Sequence, residues 1–192
     1  GENVINIKKI FSNGSIATLK NLVIPSSAVT YANLKGLSCS SSGAFTCMFG
    51  ELTDLYLVKF NAAGVRQWAT YYGAKTWGHG VATDPSGNVY LQGTTFTTSG
   101  IASGGHQNTY GGGTTDAFLV KFNSEGVRLW ATYYGGSNFD YGNDVACDNS
   151  GNIFLSGYTR SLNAIAYNGH RNTGTQGDDF LVKFNTDGVR QW

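Results

Sequence analysis

Apolar and polar residues alternate along several short segments of this chain, and the alternation predicts β-strands. Residues 118–122 read Phe-Leu-Val-Lys-Phe, so that the first, third and fifth side chains share one face. Residues 123–127 then supply an Asn-Ser-Glu-Gly-Val turn, in which Gly126 can adopt the positive φ of a bulged hairpin. The pattern therefore predicts a hairpin, and the simplest register places Trp130 opposite Val120.

This hairpin occurs three times at an interval of 62 residues. The sequence Leu-Val-Lys-Phe-Asn begins at Leu57, Leu119 and Leu181, and a tryptophan follows each copy. A fixed interval of this size indicates stacked copies of one supersecondary unit. The shared pattern predicts that each tryptophan stacks on a valine of its own hairpin, and that these side chains are buried between units. The side chains expected to be buried are Trp68, Trp130, Phe60, Phe122, Val58 and Val120.

A second type of hairpin lies between the copies of the first. Residues 80–91 carry Pro85 and Gly87 at a turn between two alternating segments. Proline supplies a φ near about −65° and glycine the left-handed position that such a turn requires. Residues 144–155 repeat the pattern, with Gly151 at the turn. Each unit is therefore predicted to contain four strands.

Residues 1–53 resemble a divergent copy of the same unit. Residues 36–47 align with residues 80–91 without a gap, and residues 10–16 have the pattern of the other hairpin. A terminal repeat can diverge because one of its sides faces solvent or a different partner. The predicted organisation is a divergent N-terminal unit at 1–53, repeats at 54–115 and 116–177, and the start of a further repeat at 178–192.

The composition fits turn-rich all-β structure and argues against several functions. Glycine accounts for 27 of 192 residues. Charged residues are only 13%, whereas about 25% is typical of globular domains. A net charge of +1 provides no basic surface for DNA or RNA. No apolar run reaches the roughly 18 residues that a membrane-spanning helix needs. We therefore expect neither a nucleic-acid partner nor a transmembrane segment.

Several blocks of the repeat resemble a known bacterial family. Residues 116–123, 130–136, 141–146 and 148–152 match the β-propeller repeat of the SBBP type in order and spacing. The resemblance covers roughly residues 54–192. It implies four-stranded antiparallel propeller blades in a secreted or surface-exposed bacterial protein. The family has no common catalytic motif, so the resemblance implies no active-site residues.

The number of units bears on the partners. The chain holds about three units, whereas a propeller usually closes with about four to eight blades. Either these residues are a piece of a longer protein, or other chains pair with the open strand edges, since an exposed edge promotes association. The expected partners are thus further blades of the same polypeptide or copies of this chain, assembled into a filament.

The three cysteines are expected on the apolar faces of their strands. Cys39 and Cys147 occupy the same position of the repeat, and three reduced, buried thiols are the expectation. The register of the first hairpin places Cys39 opposite Phe45 and Cys47 opposite Leu37. The two thiols are then diagonal neighbours about 7 Å or more apart. A disulfide between them remains an alternative that requires a different turn geometry.

Aromatic and polar residues outside the repeated pattern are the candidates for ligand contact. His106 and His170 recur in matching loops, where they are expected to order the loop, whereas His79 has no matching histidine. Aromatic side chains offer flat apolar faces with a few polar groups at their edges, a combination that suits sugars. The candidate ligand-binding residues are Trp77, His79, Tyr110, Asp140, Tyr141 and Arg160; Tyr167 is a further aromatic side chain that could contact a sugar, and Arg171 is a further unrepeated residue.

Three aspartates at four-residue intervals are the candidates for a metal site. Asp140, Asp144 and Asp148 lie close to two asparagines, and such oxygen-rich groups suit Ca²⁺. Asp148 is more simply explained as the residue that opens its hairpin turn. The sequence contains no Gly-x-Ser-x-Gly, His-Glu-x-x-His, Walker or Cys-x-x-Cys motif. We therefore expect no catalytic residues and no cofactor, with calcium as the alternative.

Two functions are compatible with these features. The first is a non-catalytic extracellular or cell-surface scaffold or adhesive module, whose contact surface is formed by the hydroxyl-rich loops 94–115 and 158–177. The second is a glycan-binding or glycan-cleaving propeller that uses the aromatic candidates. Convergence of unrepeated residues such as Trp77, His79 and Asp140 on one pocket would favour the second function, and scattering over the surface would favour the first.

Overall fold

A computed structural model of the chain describes residues 3–10, 16–24 and 34–192, with side chains from residue 34 onward except at 51–53 and 74. The described residues contain no helix, which confirms the all-β prediction, and accordingly none of their segments is a helix able to span a membrane. The strands are β1 (Asn3–Ile10), β2 (Ile16–Ile24), β3 (Leu34–Cys39), β4 (Phe45–Phe49), β5 (Glu51–Phe60), β6 (Arg66–Thr83), β7 (Val89–Thr95), β8 (Asp116–Phe122), β9 (Arg128–Tyr134), β10 (Asp140–Cys147), β11 (Ile153–Thr159) and β12 (Asp178–Phe184).

The first two strands form an antiparallel pair. Ile10 lies opposite Ile16, which is the pairing expected of a hairpin at residues 10–16. The turn itself, residues 11–15, lies outside the described residues.

The seven-stranded sheet has the order β3-β4-β5-β6-β7-β8-β9 and consists of two units joined through β6. The first half of β6 pairs with β5, and its second half pairs with β7. Between the halves Gly73 has a φ of 73°, a left-handed conformation that glycine adopts without strain. The first unit therefore comprises residues 34–72 and the second residues 76–134. Strands β10, β11 and β12 form a third antiparallel sheet, and β10 packs against the second unit.

The hairpin that opens each unit has the predicted turn. In the second unit the Asp84 N–H donates to the Asn88 carbonyl oxygen over 3.0 Å, and the Gly87 N–H donates to the Asp84 carbonyl oxygen over 2.9 Å. Gly87 has a φ of 80°, as the left-handed position requires. The third unit repeats the first of these hydrogen bonds between Asp148 and Asn152 over 3.0 Å.

The expected stacking of tryptophan on valine is wrong by one residue. Trp130 lies opposite Lys121 and not opposite Val120, and the same shift occurs at Trp68. The ladder is irregular just after the turn, where Leu129 has no partner of its own. Such a bulge places two residues of one strand opposite one of the other. The alternation of side chains therefore predicted the turn correctly and missed the extra residue that follows it.

The shifted register brings the repeated lysine and tryptophan onto a turn of the next unit. Lys121 Nζ donates to the Thr186 carbonyl oxygen over 2.8 Å and to its Oγ1 over 2.7 Å. Trp130 Nε1 donates to the same carbonyl oxygen over 3.2 Å. One unit earlier, the matching lysine and tryptophan donate to the Ser124 carbonyl oxygen over 3.3 and 2.9 Å. We call this arrangement the lysine–tryptophan contact, and it connects successive units.

The core lies between adjacent units, in two clusters of buried side chains. Each large apolar side chain in them contributes roughly 1.5–3 kcal/mol by its removal from water. Five of the six side chains expected to be buried are buried, while Trp68 is only half-buried. The five are Phe60, Phe122, Val58, Val120 and Trp130. Stacking of units, as the 62-residue interval implied, therefore buries most of the repeated apolar positions.

The three cysteines differ in exposure, and all three thiols are free. Cys47 is 1% exposed, as expected, and Cys147 is half-buried. The expectation is wrong for Cys39, which is exposed because it lies at the end of β3, the edge strand of its sheet. Cys39 pairs with Phe45 and Cys47 with Leu37, which is the diagonal arrangement predicted from the sequence.

Candidate functional site

Aromatic side chains of the second and third units form a continuous group at one end of their sheets. In the second unit they come from β6 and the end of β7, and in the third unit from the start of β10 and the end of β11. The strands of each pair are antiparallel, so the start of one lies beside the end of the other. We call this group the aromatic surface. Its members are Trp77, His79, Phe96, Phe139, Tyr141, Tyr158 and Arg160.

Trp77 connects the two halves of the aromatic surface. Its ring centroid lies 4.8 Å from that of Phe96 and 6.1 Å from that of Tyr141. The His79 ring lies 4.4 Å from the Tyr141 ring, and His79 Nδ1 is 3.3 Å from Tyr141 Oη. Phe139 extends the group, with its ring 6.2 Å from Tyr141 and nearly parallel to it at 8°. Three of the residues singled out in the sequence thus converge directly.

Arg160 closes the other end of the surface. Its Nε donates to Tyr158 Oη over 3.2 Å, and its backbone N–H donates to the Phe139 carbonyl oxygen over 2.8 Å. The Tyr158 ring in turn lies 6.2 Å from the Phe139 ring. Arg160 is exposed, whereas the two aromatic rings beside it are half-buried. The surface therefore presents partly exposed rings with a guanidinium group at one side.

The repeat explains why these side chains meet. Trp77 and His79 are two residues apart on β6, so they point to the same face. Tyr141 occupies in the third unit the position of Trp77 in the second, and Arg160 that of Phe96. Stacked units bring matching positions side by side. The aromatic surface is therefore a product of unit stacking.

Asp140 directly precedes Tyr141 of the aromatic surface in β10. Its side chain is fully buried. Oδ1 accepts a hydrogen bond from Thr159 Oγ1, and Oδ2 accepts from the Gly136 N–H over 2.7 Å and from Ser161 Oγ over 2.8 Å. Burial raises the pKa of Asp140, and these hydrogen bonds oppose the rise. A carboxyl enclosed in this way positions the strand ends and does not reach a ligand on the surface.

A second buried carboxyl, Asp116, was not found from the sequence. Its Oδ2 accepts a hydrogen bond from the Gly111 N–H over 2.6 Å. Burial raises the pKa of Asp116 to about 7. The available signal was the recurrence of this aspartate as Asp54 and Asp178 at the start of the repeated strand. Recurrence is equally typical of packing positions, so it does not by itself indicate a functional group.

The remaining ligand candidates lie apart from the aromatic surface. Tyr110 packs edge-on against a tyrosine of β9, with ring centroids 5.7 Å apart. Tyr167 lies under the Arg190 guanidinium at 4.7 Å. Arg171 forms an ion pair of 2.7 Å with Asp178. These three residues have structural contacts of their own, and none is a member of the aromatic surface.

The aspartates considered for calcium do not form a common site. Asp148 is engaged in its turn, where Oδ1 accepts from the Ser150 N–H over 2.9 Å and from the Asn152 N–H over 2.8 Å. Asp140 is buried and Asp144 is exposed. Across the part of the chain that the structure describes, no three His, Cys, Asp or Glu side chains are grouped to hold a metal ion.

The two repeated histidines lie in matching loops. In the first loop Asn108 Oδ1 accepts from the glycine N–H that precedes His106 over 3.1 Å, and in the second Asn172 Oδ1 accepts from the glycine N–H before His170 over 3.0 Å. Burial, together with a nearby arginine, lowers the pKa of His106, whose ring lies 6.0 Å from that of Phe184. In each loop the repeated asparagine therefore binds the backbone N–H of the glycine that precedes the histidine.

A cavity of about 750 Å³ lies between loop 161–174 and β12, and its lining includes Phe180 and Trp192. In the second unit the matching loop packs on β9, where Ala131 exchanges two hydrogen bonds of 2.9 Å with Ser103. The cavity therefore corresponds to the position of a fourth strand in the unit. It is separate from the aromatic surface.

Sequence reasoning missed three aromatic members of the surface. Phe96 and Tyr158 lie at or just beyond the ends of strands, where the alternation of side chains stops. Phe139 lies within residues 134–141, a segment two residues longer than its counterpart in the preceding repeat. That insertion was the available signal, because insertions within a repeat map to loops on one face.

The strand order and the stacking of units define an all-β protein built of β-propeller blades. Residues 67–96 and 129–163 match the family described as Beta-propeller repeat, SBBP. These two segments thus match SBBP β-propeller repeats, and the resemblance noted in the sequence is confirmed there. It is also 24% identical over 181 residues to an uncharacterized WD repeat-containing protein of Acanthamoeba polyphaga mimivirus, with 74% of this chain and 13% of that protein covered.

Two solved structures are similar to the chain. One is a protein of unknown function from Bacteroides caccae, with 11% identity and a TM-score of 0.49, over 98% of this chain and 53% of that one. The other is regucalcin, a calcium-binding protein from Agrobacterium tumefaciens, with 11% identity and a TM-score of 0.47, over 100% of this chain and 55% of that one. The chain spans about half the length of these two structures.

Proposed function

We propose that this chain is a non-catalytic binding module of an extracellular or cell-surface β-propeller, and that its aromatic surface contacts carbohydrate. The observation that carries the proposal is the convergence of Trp77, His79 and Tyr141 from two adjacent blades. The C–H faces of sugars are apolar and pack on aromatic rings, while polar groups at the ring edges bond the hydroxyls. The aromatic surface provides the rings, and the Arg160 guanidinium provides polar groups at their edge.

The chemistry of the surface favours a neutral ligand. Arg160 supplies exposed donors at one end, and the other members of the surface are aromatic rings, with the His79 ring packed on Tyr141. A polyhydroxylated ligand can stack on the rings and accept hydrogen bonds from the Arg160 guanidinium. An anionic polymer would instead require a broad basic patch, and the net charge of the chain is only +1.

The buried carboxyls support binding without cleavage. Glycoside hydrolysis uses two carboxyl groups that flank the scissile bond and therefore reach the substrate. Asp140 and Asp116 are fully buried, and Asp140 is held by three hydrogen bonds. Neither group lies in the aromatic surface.

The loops are consistent with an adhesive role. Loops 94–115 and 158–177 are rich in Gly, Ser, Thr and Asn, which form hydrogen bonds without strong charge. Contacts of this type are weak individually. Several blades in one molecule would combine them, because linked weak sites give a much higher overall affinity.

The proposal is tested by affinity electrophoresis of the chain in gels that contain neutral polysaccharides. Trp77→Ala and Tyr141→Ala are expected to weaken retardation at least about tenfold, which corresponds to about 1.4 kcal/mol of lost stacking. Tyr167→Ala is the matched control, since Tyr167 is an exposed tyrosine outside the surface. Binding that is indifferent to Trp77 and Tyr141 would refute the carbohydrate surface, and release of reducing ends by the wild type would refute the non-catalytic assignment.

Self-association is a second candidate function, and it rests on β3. Leu34 and Leu37 are each 46% exposed on this edge strand. The outer edge of β9, in contrast, is covered by backbone hydrogen bonds to Ser103 and Gln107, a common protection against edge pairing. Light scattering is expected to show a concentration-dependent mass that Leu37→Lys abolishes. The control is Leu129→Lys, which changes an exposed leucine of the protected strand.

A further inference from the structure

Two fully buried carboxyls meet at the junction between the second and third blades. Asp116 is the first residue of β8, and Asp140 is the first residue of β10. A Cβ placed on Gly135 would lie 2.4 Å from Asp116 Oδ1 and 2.9 Å from Asp140 Oδ2. These two oxygens are therefore at most about 5.3 Å apart, a separation at which two carboxylates disfavour each other's charge.

The two carboxyls differ in their hydrogen bonds. Asp140 accepts three, from Thr159, Gly136 and Ser161, and is satisfied as an anion. Asp116 accepts one through Oδ2, while its Oδ1 is buried and has no hydrogen-bond partner among the described residues. An unpaired buried carboxylate oxygen is costly, because water no longer solvates it.

Among the described residues, no positive charge compensates the pair. Neither carboxyl forms an ion pair with any lysine or arginine that the structure describes. The titratable side chains that face Asp116 are Tyr110 and Tyr133, and those that face Asp140 are Tyr110 and Tyr134. Tyrosines are neutral at physiological pH, since their ordinary pKa is about 10.

Matching positions elsewhere in the chain are arranged differently. Asp178 matches Asp116, and it forms an ion pair of 2.7 Å with Arg171. The Thr175 backbone N–H and then this guanidinium hold the pKa of Asp178 below its ordinary range. In the second unit, Thr76 occupies the position that Asp140 has in the third. The junction of Asp116 and Asp140 has neither the compensating arginine nor the neutral threonine.

We propose that Asp116 and Asp140 hold one proton between them in the folded protein, and that loss of this proton loosens the junction between the second and third blades. The proton resides on Asp116, because Asp140 already has three donors that stabilise its anion. Burial raises the pKa of Asp116 to about 7, against the effect of the Gly111 N–H and with a further contribution from the charge of Asp140. This inference does not depend on the carbohydrate proposal.

The direction of the pH effect follows from linkage. A carboxyl whose pKa is higher in the folded than in the unfolded chain takes up a proton on folding. Its stabilising effect is complete below the unfolded value of about 3.9 and is lost as the pH rises to about 7. Within that window the ratio of folded to unfolded chain falls by up to about tenfold per pH unit.

The test combines two measurements on the whole chain between about pH 4.5 and 8.5, namely urea unfolding and ¹³C NMR of labelled aspartate carboxyls. We expect one carboxyl signal that titrates near pH 7 and is absent from Asp116→Asn. Relative to that variant, the wild type should lose at least about tenfold in its folding equilibrium constant between pH 5 and 7. Asp140→Asn should move the titration of Asp116 to lower pH.

Asp178→Asn is the matched control, since it removes the same repeated aspartate where an arginine compensates it; it should leave the signal near pH 7 unchanged. Titration of every aspartate below about pH 5 would overturn the proposal, as would an identical pH dependence in the wild type and Asp116→Asn. Where Asp116→Asn does not fold, the wild-type carboxyl titration decides alone. Suppression of that titration by added Ca²⁺ would assign the pair to a metal ion and would also overturn it.

Discussion

Replacement of Trp130 by alanine is expected to weaken the connection between the second and third blades. Trp130 is only 6% exposed, and its ring lies 6.2 Å from that of Tyr90. A Cβ on Gly188 would lie 2.9 Å from the indole, so the ring packs directly on the turn of the next blade. The indole N–H also donates to the Thr186 carbonyl oxygen.

The expected magnitude follows from burial. A buried tryptophan removes about 200 Å² from water, which corresponds to about 5 kcal/mol at about 25 cal/mol per Å², and measured replacements by alanine cost about 3–5 kcal/mol. Trp130→Phe retains most of this area and loses one hydrogen bond. The Thr186 carbonyl oxygen still accepts from Lys121 over 2.8 Å, so this variant should lose only about 1 kcal/mol.

Urea unfolding followed by circular dichroism measures both losses. Trp68→Ala is the internal comparison, because Trp68 has the same place in the repeat but is half-buried, and its loss should be smaller. The free energy of unfolding of a domain is typically about 5–15 kcal/mol, so Trp130→Ala removes a large part of it. A loss below about 1 kcal/mol for Trp130→Ala, or equal losses for the alanine and phenylalanine variants, would refute the argument from ring packing.

Three further outcomes are expected. Cys39 is exposed and should react with a thiol reagent in the folded chain, whereas burial raises the pKa of Cys47 to about 12, so Cys47 should react only after unfolding; mass spectrometry counts the modified thiols, and early modification of Cys47 would contradict its burial. Gly126→Ala should cost about 1–3 kcal/mol in urea unfolding, because Gly126 has a φ of 86° and a Cβ there would lie 2.7 Å from the Trp68 ring. Asn123→Ala should cost about 1 kcal/mol in the same assay, because Asn123 Oδ1 accepts from two backbone N–H groups of its turn over 3.0 and 2.8 Å; an unchanged midpoint would show that the turn does not need them.

Local chemistry was sufficient to predict strands and turns. Gly87 and Gly126 have the positive φ that their turns require, and this requirement is visible in a few neighbouring residues. The register of Trp130 was not predictable in the same way. Its position depends on a bulge at Leu129 and on a carbonyl oxygen of the next blade, and neither is expressed in the alternation of side chains.

The candidate site was predicted in part, for a similar reason. Trp77 and His79 depart from the repeated sequence, and Tyr141 is the aromatic residue at the matching position of the next repeat; both features are visible without a structure. Asp116 belongs to the repeated sequence, so nothing distinguished it from a packing residue. Asp116 and Asp140 begin strands of two different units, β8 and β10, and only the folded chain brings these strand ends together.

The acid pair of Asp116 and Asp140 lies beside the strand ends that carry part of the aromatic surface. Asp140 accepts hydrogen bonds from Thr159 and Ser161, the residues on either side of Arg160, and it directly precedes Tyr141. A change in the charge of the acid pair therefore acts on the strand ends that carry half of the aromatic surface. Ligand affinity should then vary with pH across the titration of Asp116, and a bound ligand should shift that titration by the same free energy, since coupling between two sites is reciprocal. Affinity that is constant from about pH 5 to 8, in a chain whose Asp116 titrates near 7, would show that the junction and the surface act independently.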